Sequence, residues 1–230
     1  MDISHKIKKG LLYFAGRFPS SDEKRNKWLF EKYRSFTMID ESSYAANLEI
    51  ARKSRKISGD VVECGVWRGG MIAGIAELLG TEKNYHLYDS FEGLPEAKEI
   101  DGKGAIDWQK NTSGDFYFDN CKAEIEFAEK AMNQTGAKYS CYKGWFCDTL
   151  PKNQITHISL LRLDGDWYDS TMDCLKHLFP KVVKGGVVLI DDYHTWDGCS
   201  RAVHDYLSSV QSTSRVSSHK GVAYIIKNDS

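Results

Sequence analysis

The sequence predicts an α/β fold: an open, doubly wound, mostly parallel sheet with helices on both faces. Two apolar runs, residues 157–163 and 186–190, have the length and turn-bounded ends of buried parallel strands. The first is followed by Asp164 and the second by Asp191 and Asp192. A third run, Val61, Val62, Glu63 and Cys64, enters a glycine-rich turn with Gly65, Gly69 and Gly70 and then a helical pattern. Strand-like and helix-like segments alternate along the rest of the chain, the pattern of a parallel sheet crossed by helices.

Up to Thr37 the chain is rich in Lys, Arg and aromatics, among them Trp28, Phe30, Tyr33 and Phe36, and reads as one or two short helices outside the sheet. Residues 42–55 place Tyr44, Leu48 and Ala51 at helical spacing with basic residues toward the end, so a helix runs up to the core. Residues 1–55 thus form a helical extension of one domain spanning residues 1–230. Gly59 and Asp60 turn into the first strand over 61–64, and its helix follows over 71–79. The second strand, 85–88, ends in Asp89. Between Gly93 and Asn120 the pattern breaks into Gly, Asp, Lys and Asn, with Trp108, Phe116, Tyr117 and Phe118 interleaved. A structureless loop of that length is usually functional or mobile, so residues 92–120 read as a lid-like insertion that orders over bound ligands. Helices over 121–132, 171–179 and 200–210 and strands over 139–142 and 222–226 complete the pattern, with 214–218 a candidate partner for the last strand.

A chain of 230 residues is long enough to bury a full core, and its net charge of −1 gives no general attraction for nucleic acid or an anionic membrane. Residues 5–14 imitate a secretory signal, but Gly16 and Arg17 interrupt the pattern and no small-residue cleavage site follows, so none is expected. No run is long enough to span a bilayer. The six cysteines lack CxxC spacing and several occupy apolar positions, as reduced thiols of a cytoplasmic protein do; zinc is not expected.

The aspartates point to chemistry. Open α/β sheets take ligands outside the carboxyl ends of their strands, where Asp164, Asp191 and Asp192 all stand. Carboxylates brought together there repel one another and lose hydration unless a cation neutralises them, and an all-oxygen set suits Mg²⁺. Strand-end aspartates also occur without a metal, as helix caps. The first turn reads G-x-x-x-G-G in place of G-x-G-x-x-G, with Trp67 and Arg68 inside it, so it accommodates a pyrophosphate poorly. Asp89 stands where an acidic residue accepts ribose hydroxyls, and equally where a strand end faces solvent. Glu63 would repel a pyrophosphate but can pair with an ammonium, which favours S-adenosylmethionine over a nicotinamide dinucleotide.

Five segments in order, VECGVWRGG at 62–70, YDSFEGLP at 88–95, KGWFCDTLP at 143–151, LDGDWYDST at 163–171 and GGVVLIDDY at 185–193, resemble the macrocin O-methyltransferase family. Those enzymes methylate sugar hydroxyls in macrolide and aminocoumarin antibiotics. The resemblance runs from about Trp28 onward. It implies a class I, Rossmann-like methyltransferase fold with a seven-stranded sheet, S-adenosylmethionine as donor, Mg²⁺, a mobile lid and a homodimer or higher homo-oligomer. It places Glu63, Gly65, Val66, Trp67, Arg68 and Gly69 by the methionine part of the cofactor. Asp89 would hold the ribose hydroxyls with Ser90 and Phe91 beside it, and Trp145 and Phe146 would wall the adenine. Asp164, Asp191 and Asp192 would bind the metal, and Asp166 would be the base. Cys64 stands where a threonine is common in the family, and the N-terminal region is shorter than in the antibiotic enzymes.

The expected reaction is methyl transfer to a hydroxyl of a small sugar-bearing acceptor. Mg²⁺ would acidify and fix the hydroxyl, and a neighbouring oxygen would help chelate it. His194, two residues beyond Asp192, is the alternative base. Asp169 is expected to begin a helix with Ser170 and Thr171, and Tyr193 and Trp196 to line the acceptor side or pack. A catechol-type O-methyltransferase and a non-catalytic cofactor-binding protein are the rival readings. Nucleic-acid methylation lacks a basic patch with interleaved aromatics, and neither a nucleic-acid nor a membrane partner is expected.

Overall fold

The structure, a computed structural model, describes residues 21–228 apart from Phe116. The signal-like residues 5–14 and the lid aromatic Phe116 therefore lie outside the described residues. Helices α1 (Asp22–Tyr33) and α2 (Glu41–Ala51) come first. Ser21 caps α1 by accepting from the Lys24 N–H, and Asp40 caps α2 by accepting from those of Ser42 and Ser43. There follow β1 (Asp60–Cys64), α3 (Gly70–Leu79), β2 (Asn84–Asp89), α4 (Lys103–Lys110), α5 (Ile125–Asn133) and β3 (Lys138–Lys143). The chain continues through α6 (Phe146–Thr149), β4 (Ile158–Leu163), α7 (Tyr168–Leu178), β5 (Val182–Ile190) and α8 (Asp197–Ser209), and the hairpin of β6 (Val216–His219) and β7 (Val222–Ile226) follows.

The strands form one sheet in the order β3-β2-β1-β4-β5-β7-β6. The first five are parallel, while β7 runs antiparallel to both β5 and β6. The order reverses between β1 and β4, and their carboxyl ends open the crevice where such sheets take ligands. Central β4 is buried throughout, and its two-residue period serves two cores. Leu160 packs in a cluster with Val61, Leu87 and Leu189 that also holds Tyr44, Ile72 and Met132 from α2, α3 and α5. Leu161 and Leu163 join Val62, Val188 and Ile190 with Leu175 and Val203 from α7 and α8. Helices thus cover both faces.

The helices before β1 lie outside the sheet, as expected, and pack into the first core: Leu29, Tyr33 and Tyr44 are fully buried, and the Tyr44 hydroxyl donates to the Gly70 carbonyl at 2.9 Å. The insertion over 92–120 is not structureless, since it carries α4 and short turns at Glu99–Asp101 and Phe118–Cys121. The helix expected from residue 121 begins only at Ile125, because residues 118–121 take left-handed φ angles of 47° to 60°.

Candidate active site

The site grows from the β1 turn. At Gly65, φ is +84°, and a Cβ there would stand 1.7 Å from the Asp164 carbonyl oxygen, so only glycine lets the ends of β1 and β4 meet. The Asp164 N–H donates to the Cys64 carbonyl at 2.8 Å across that junction. Asp89, at the end of β2, organises the same turn. Its Oδ2 accepts from the Val66 and Trp67 N–H groups at 2.6 and 2.8 Å, and its Oδ1 from Phe91 at 2.7 Å. Three backbone N–H groups thus converge on one carboxylate at the head of the crevice, with the Ser90 side chain beside it. Burial pushes its pKa up against the pull of those bonds.

Beyond the turn, a cavity of about 790 Å³ opens, within the range of small-molecule sites. Oxygen atoms of Asp164, Asp166 and Asp192 converge in its wall within 4.8 Å of one another. Burial drives the Asp164 carboxyl up to about 6 and that of Asp166 up to about 8, and it raises Asp192 as well; neighbouring carboxylates add to each shift. The third member of this cluster is Asp166, not the expected Asp191. Asp191 lines the cavity, but its Oδ1 is 2.8 Å from Arg162 Nη2 and accepts from Asn47 at 3.3 Å. Arg162 is fully buried and also binds Glu63 at 2.9 Å, Asp164 at 2.8 Å and the Asn47 side-chain oxygen at 3.3 Å.

That arginine also relocates Glu63, which was expected to meet a cofactor ammonium. Glu63 and Arg162 are register partners on β1 and β4, so their side chains emerge together on the α2 face, beneath the cavity rather than on its wall. Of the other expected cofactor residues, Gly65, Trp67, Asp89, Ser90, Trp145 and Phe146 do line the cavity. Val66 and Phe91 instead pack into the first core and contribute backbone N–H groups to Asp89. Arg68 lies between the Trp67 and Phe127 rings, and Gly69 precedes α3 with φ +81°. His194 reaches the cavity, with its Nε2 3.2 Å from Ser218 Oγ. Asp169 sits in the first turn of α7, as expected, and pairs with Lys98 at 2.6 Å.

One wall of the cavity is built from tryptophans. Trp108 of α4, Trp167 before α7 and Trp196 before α8 form a triangle of edge-on rings with centroids 5.3 to 6.1 Å apart, all on the cavity wall. Trp196 Nε1 donates to Asp166 Oδ1 at 3.0 Å. The insertion is docked through Asp101, which accepts from the Tyr168 N–H at 2.7 Å, and through Trp167 Nε1, which donates to the Pro95 carbonyl at 2.9 Å. Sequence reading missed Arg162, Asn47, Asp101 and Trp167. A lone arginine inside an otherwise apolar strand was the available signal for the first.

The oxygen set of Asp164, Asp166 and Asp192 fits a hard divalent cation, because the one arginine beside it already faces three carboxylates. Asp89 and Gly65 line the cavity at the carboxyl ends of β2 and β1, where an acidic residue can meet a ribose-bearing ligand. Residues 18–223 match the family model described as Macrocin-O-methyltransferase (TylF). The chain is similar to the 8-demethyl-8-(2,3-dimethoxy-alpha-L-rhamnosyl)-tetracenomycin-C 4'-O-methyltransferase of Streptomyces olivaceus, at 36% identity over 157 residues, 65% of this chain and 58% of that one. It is 34% identical over 158 residues to the demethyldecarbamoylnovobiocin O-methyltransferase of Streptomyces niveus, again covering 65% and 58%. The match thus spans under two thirds of these curated relatives. Among solved structures, the O-methyltransferase NovP superposes with a TM-score of 0.71 at 28% identity, covering 97% of this chain and 96% of that one. The architecture is therefore the class I, Rossmann-like one of O-methyltransferases. With the family model matched over nearly the whole chain, this protein belongs to the macrocin O-methyltransferase family.

Proposed function

We propose that the protein transfers a methyl group from S-adenosylmethionine to a hydroxyl, flanked by a second oxygen, on the sugar of a small molecule. The observation that carries this reading is the convergence of Asp164, Asp166 and Asp192 in the same cavity as the Gly65–Asp89 turn. S-adenosylmethionine, when bound, supplies an electrophilic methyl group on a sulfonium; Asp89, Gly65, Trp67 and Ser90 are the residues that would hold it, with Trp145 and Phe146 against the adenine. Mg²⁺, when bound, supplies Lewis acidity and neutralises the cluster, and Asp164 and Asp192 would hold it. Asp191 can add the oxygen that Arg162 leaves. Asp166 takes the hydroxyl proton: its Oδ1 is held by Trp196 on the cavity wall, beside the oxygens of Asp164 and Asp192. The tryptophan faces and the closed insertion orient the acceptor and exclude water.

The relatives' names, which specify a rhamnosyl tetracenomycin and a novobiocin precursor, support a glycosylated natural product as acceptor. The six unpaired cysteines support a cytoplasmic location, and among the described residues no helix is long and apolar enough to cross a membrane. Assembly as a homodimer or higher homo-oligomer belongs to the same proposal and is read by light scattering. The deciding experiment incubates the protein with S-adenosylmethionine and Mg²⁺ against methyl α-L-rhamnopyranoside, aryl rhamnosides and catechol, with methylated product followed by mass spectrometry. Methylated glycosides are expected. Selective turnover of catechol would replace the sugar acceptor.

A further inference from the structure

We propose that Trp196 is the positioning residue of Asp166, and that through Trp108 it couples the set of that carboxylate to the docking of the insertion. The inference rests on reading Asp166 as the proton acceptor. Asp166 is held in the left-handed backbone region, with φ 55°, a conformation that a non-glycine residue keeps only where its surroundings impose it. Two bonds impose it here. The Asp166 N–H donates to Asp192 Oδ2 at 3.0 Å, and the Trp196 indole N–H donates to Asp166 Oδ1 at 3.0 Å. The first ties the backbone to the cation cluster. The second stops the carboxylate from turning and leaves Oδ2 as the oxygen that receives a proton.

Of the acceptors open to a packed indole, the N–H of Trp196 takes the carboxylate at the cluster itself. The indole is in turn set by two edge-on neighbours, Trp167 at 5.3 Å and Trp108 at 6.0 Å, and these two also meet each other at 6.1 Å. Trp108 belongs to α4 of the insertion, and Trp167 bonds the insertion at Pro95. When the insertion leaves, Trp196 loses one of the two rings that fix its plane. The base is therefore fully oriented only while the site is covered. That arrangement suits a reaction in which a sulfonium must be kept from water until the acceptor is in place.

The test is a double-mutant cycle on the glycoside turned over best in the panel above, with S-adenosylmethionine and Mg²⁺ saturating. W196F keeps an aromatic ring and removes the donor. It is expected to lower kcat by about tenfold to a hundredfold, while KM and S-adenosylhomocysteine affinity move less than about twofold. In a D166N background the same change is expected to cost less than about twofold, because the group it positions is already disabled. A second readout needs no acceptor. In ¹⁵N-labelled protein, the Trp196 indole N–H resonance is expected to shift and lose exchange protection in D166A and to shift in W108A. An equal loss from W196F in both backgrounds, or a Trp196 resonance unmoved in D166A, overturns this inference alone. Undiminished turnover by D166N, or no glycoside methylated, overturns the functional reading instead.

Discussion

Asp164, Asp166 and Asp192 share one small volume, so their roles separate only when each is changed by itself. Asp164→Asn and Asp192→Asn keep the volume and remove a charge. Loss of a group one shell further out commonly costs ten- to a hundredfold in metal affinity, so loss of a ligand is expected to cost more than about a hundredfold in Mn²⁺ binding. S-adenosylhomocysteine affinity should stay within about threefold, since both substitutions keep side-chain volume and leave the backbone bonds that hold the Asp89 turn in place. Asp166→Asn is expected to lower kcat by about 10²- to 10⁴-fold with Mn²⁺ affinity nearly unchanged. Titration calorimetry showing that Asp166→Asn weakens Mn²⁺ as much as Asp164→Asn would make Asp166 a ligand and pass the base to His194. Protons compete for the same oxygens. Burial raises the Asp164 and Asp166 carboxyls to about 6 and about 8, so the chelated folded state binds more protons than the unfolded chain in that window. Their contribution to stability is therefore lost as pH rises from the unfolded carboxylate range through these values. A divalent cation displaces the protons, so the gain in Tm on adding Mg²⁺ to chelated protein is expected to be larger at pH 8 than at pH 6. A gain that does not vary with pH speaks against a carboxylate cation site.

Among the elements, the β1 turn and the insertion show the two ways in which the site is shaped. Gly65→Ala would drive a Cβ to 1.7 Å from the Asp164 carbonyl at φ +84°, whereas Gly136 (φ +70°) has nothing within 4 Å. Both substitutions strain the backbone, but only the first must also part β1 from β4. Gly65→Ala is thus expected to lower Tm well beyond Gly136→Ala and to abolish cofactor binding; equal melting shifts would show that the crevice is not closed at this point. The turn could be read from sequence because its glycines are local. The insertion could not: α4 offers only Ala105, Ile106 and Trp108 as apolar residues. It is secured by long-range bonds such as Asp101 to the Tyr168 N–H, which leave no periodic trace. The Lys98–Asp169 pair that also bridges the insertion to α7 is exposed and adds little to that hold. Hydrogen exchange across residues 92–120 is expected to slow when S-adenosylhomocysteine binds, and unchanged exchange would mark a static insertion.

For the whole molecule, the division between what could and could not be read in advance follows the range of the forces involved. The strands, their order in the chain and the aspartates at their ends are local patterns of two- and four-residue spacing, and the sequence displays them directly. Which side chains face one another across the sheet depends on register, and that decides the fate of Glu63 and Asp191. The pairing of β1 with β4 sets Glu63 beside Arg162, and the packing of α2 brings Asn47 to the same guanidinium. Arg162 is thus a resident positive charge under the cavity, bound to three carboxylates. One charge cannot balance Asp166 and Asp192 as well, so the chelated site is under repulsion. Yet the two cores on either side of the sheet do not pass through it. Chelation is accordingly expected to stop turnover while far-UV and near-UV circular dichroism stay close to those of the loaded protein and Tm falls by only a few degrees, about 1 to 2 kcal/mol for a chain of this size. Activity should return with Mg²⁺ or Mn²⁺, which accept all-oxygen sites. Collapse of the near-UV spectrum on chelation would show that the cation is structural, and full turnover in excess chelator would remove it from the reaction.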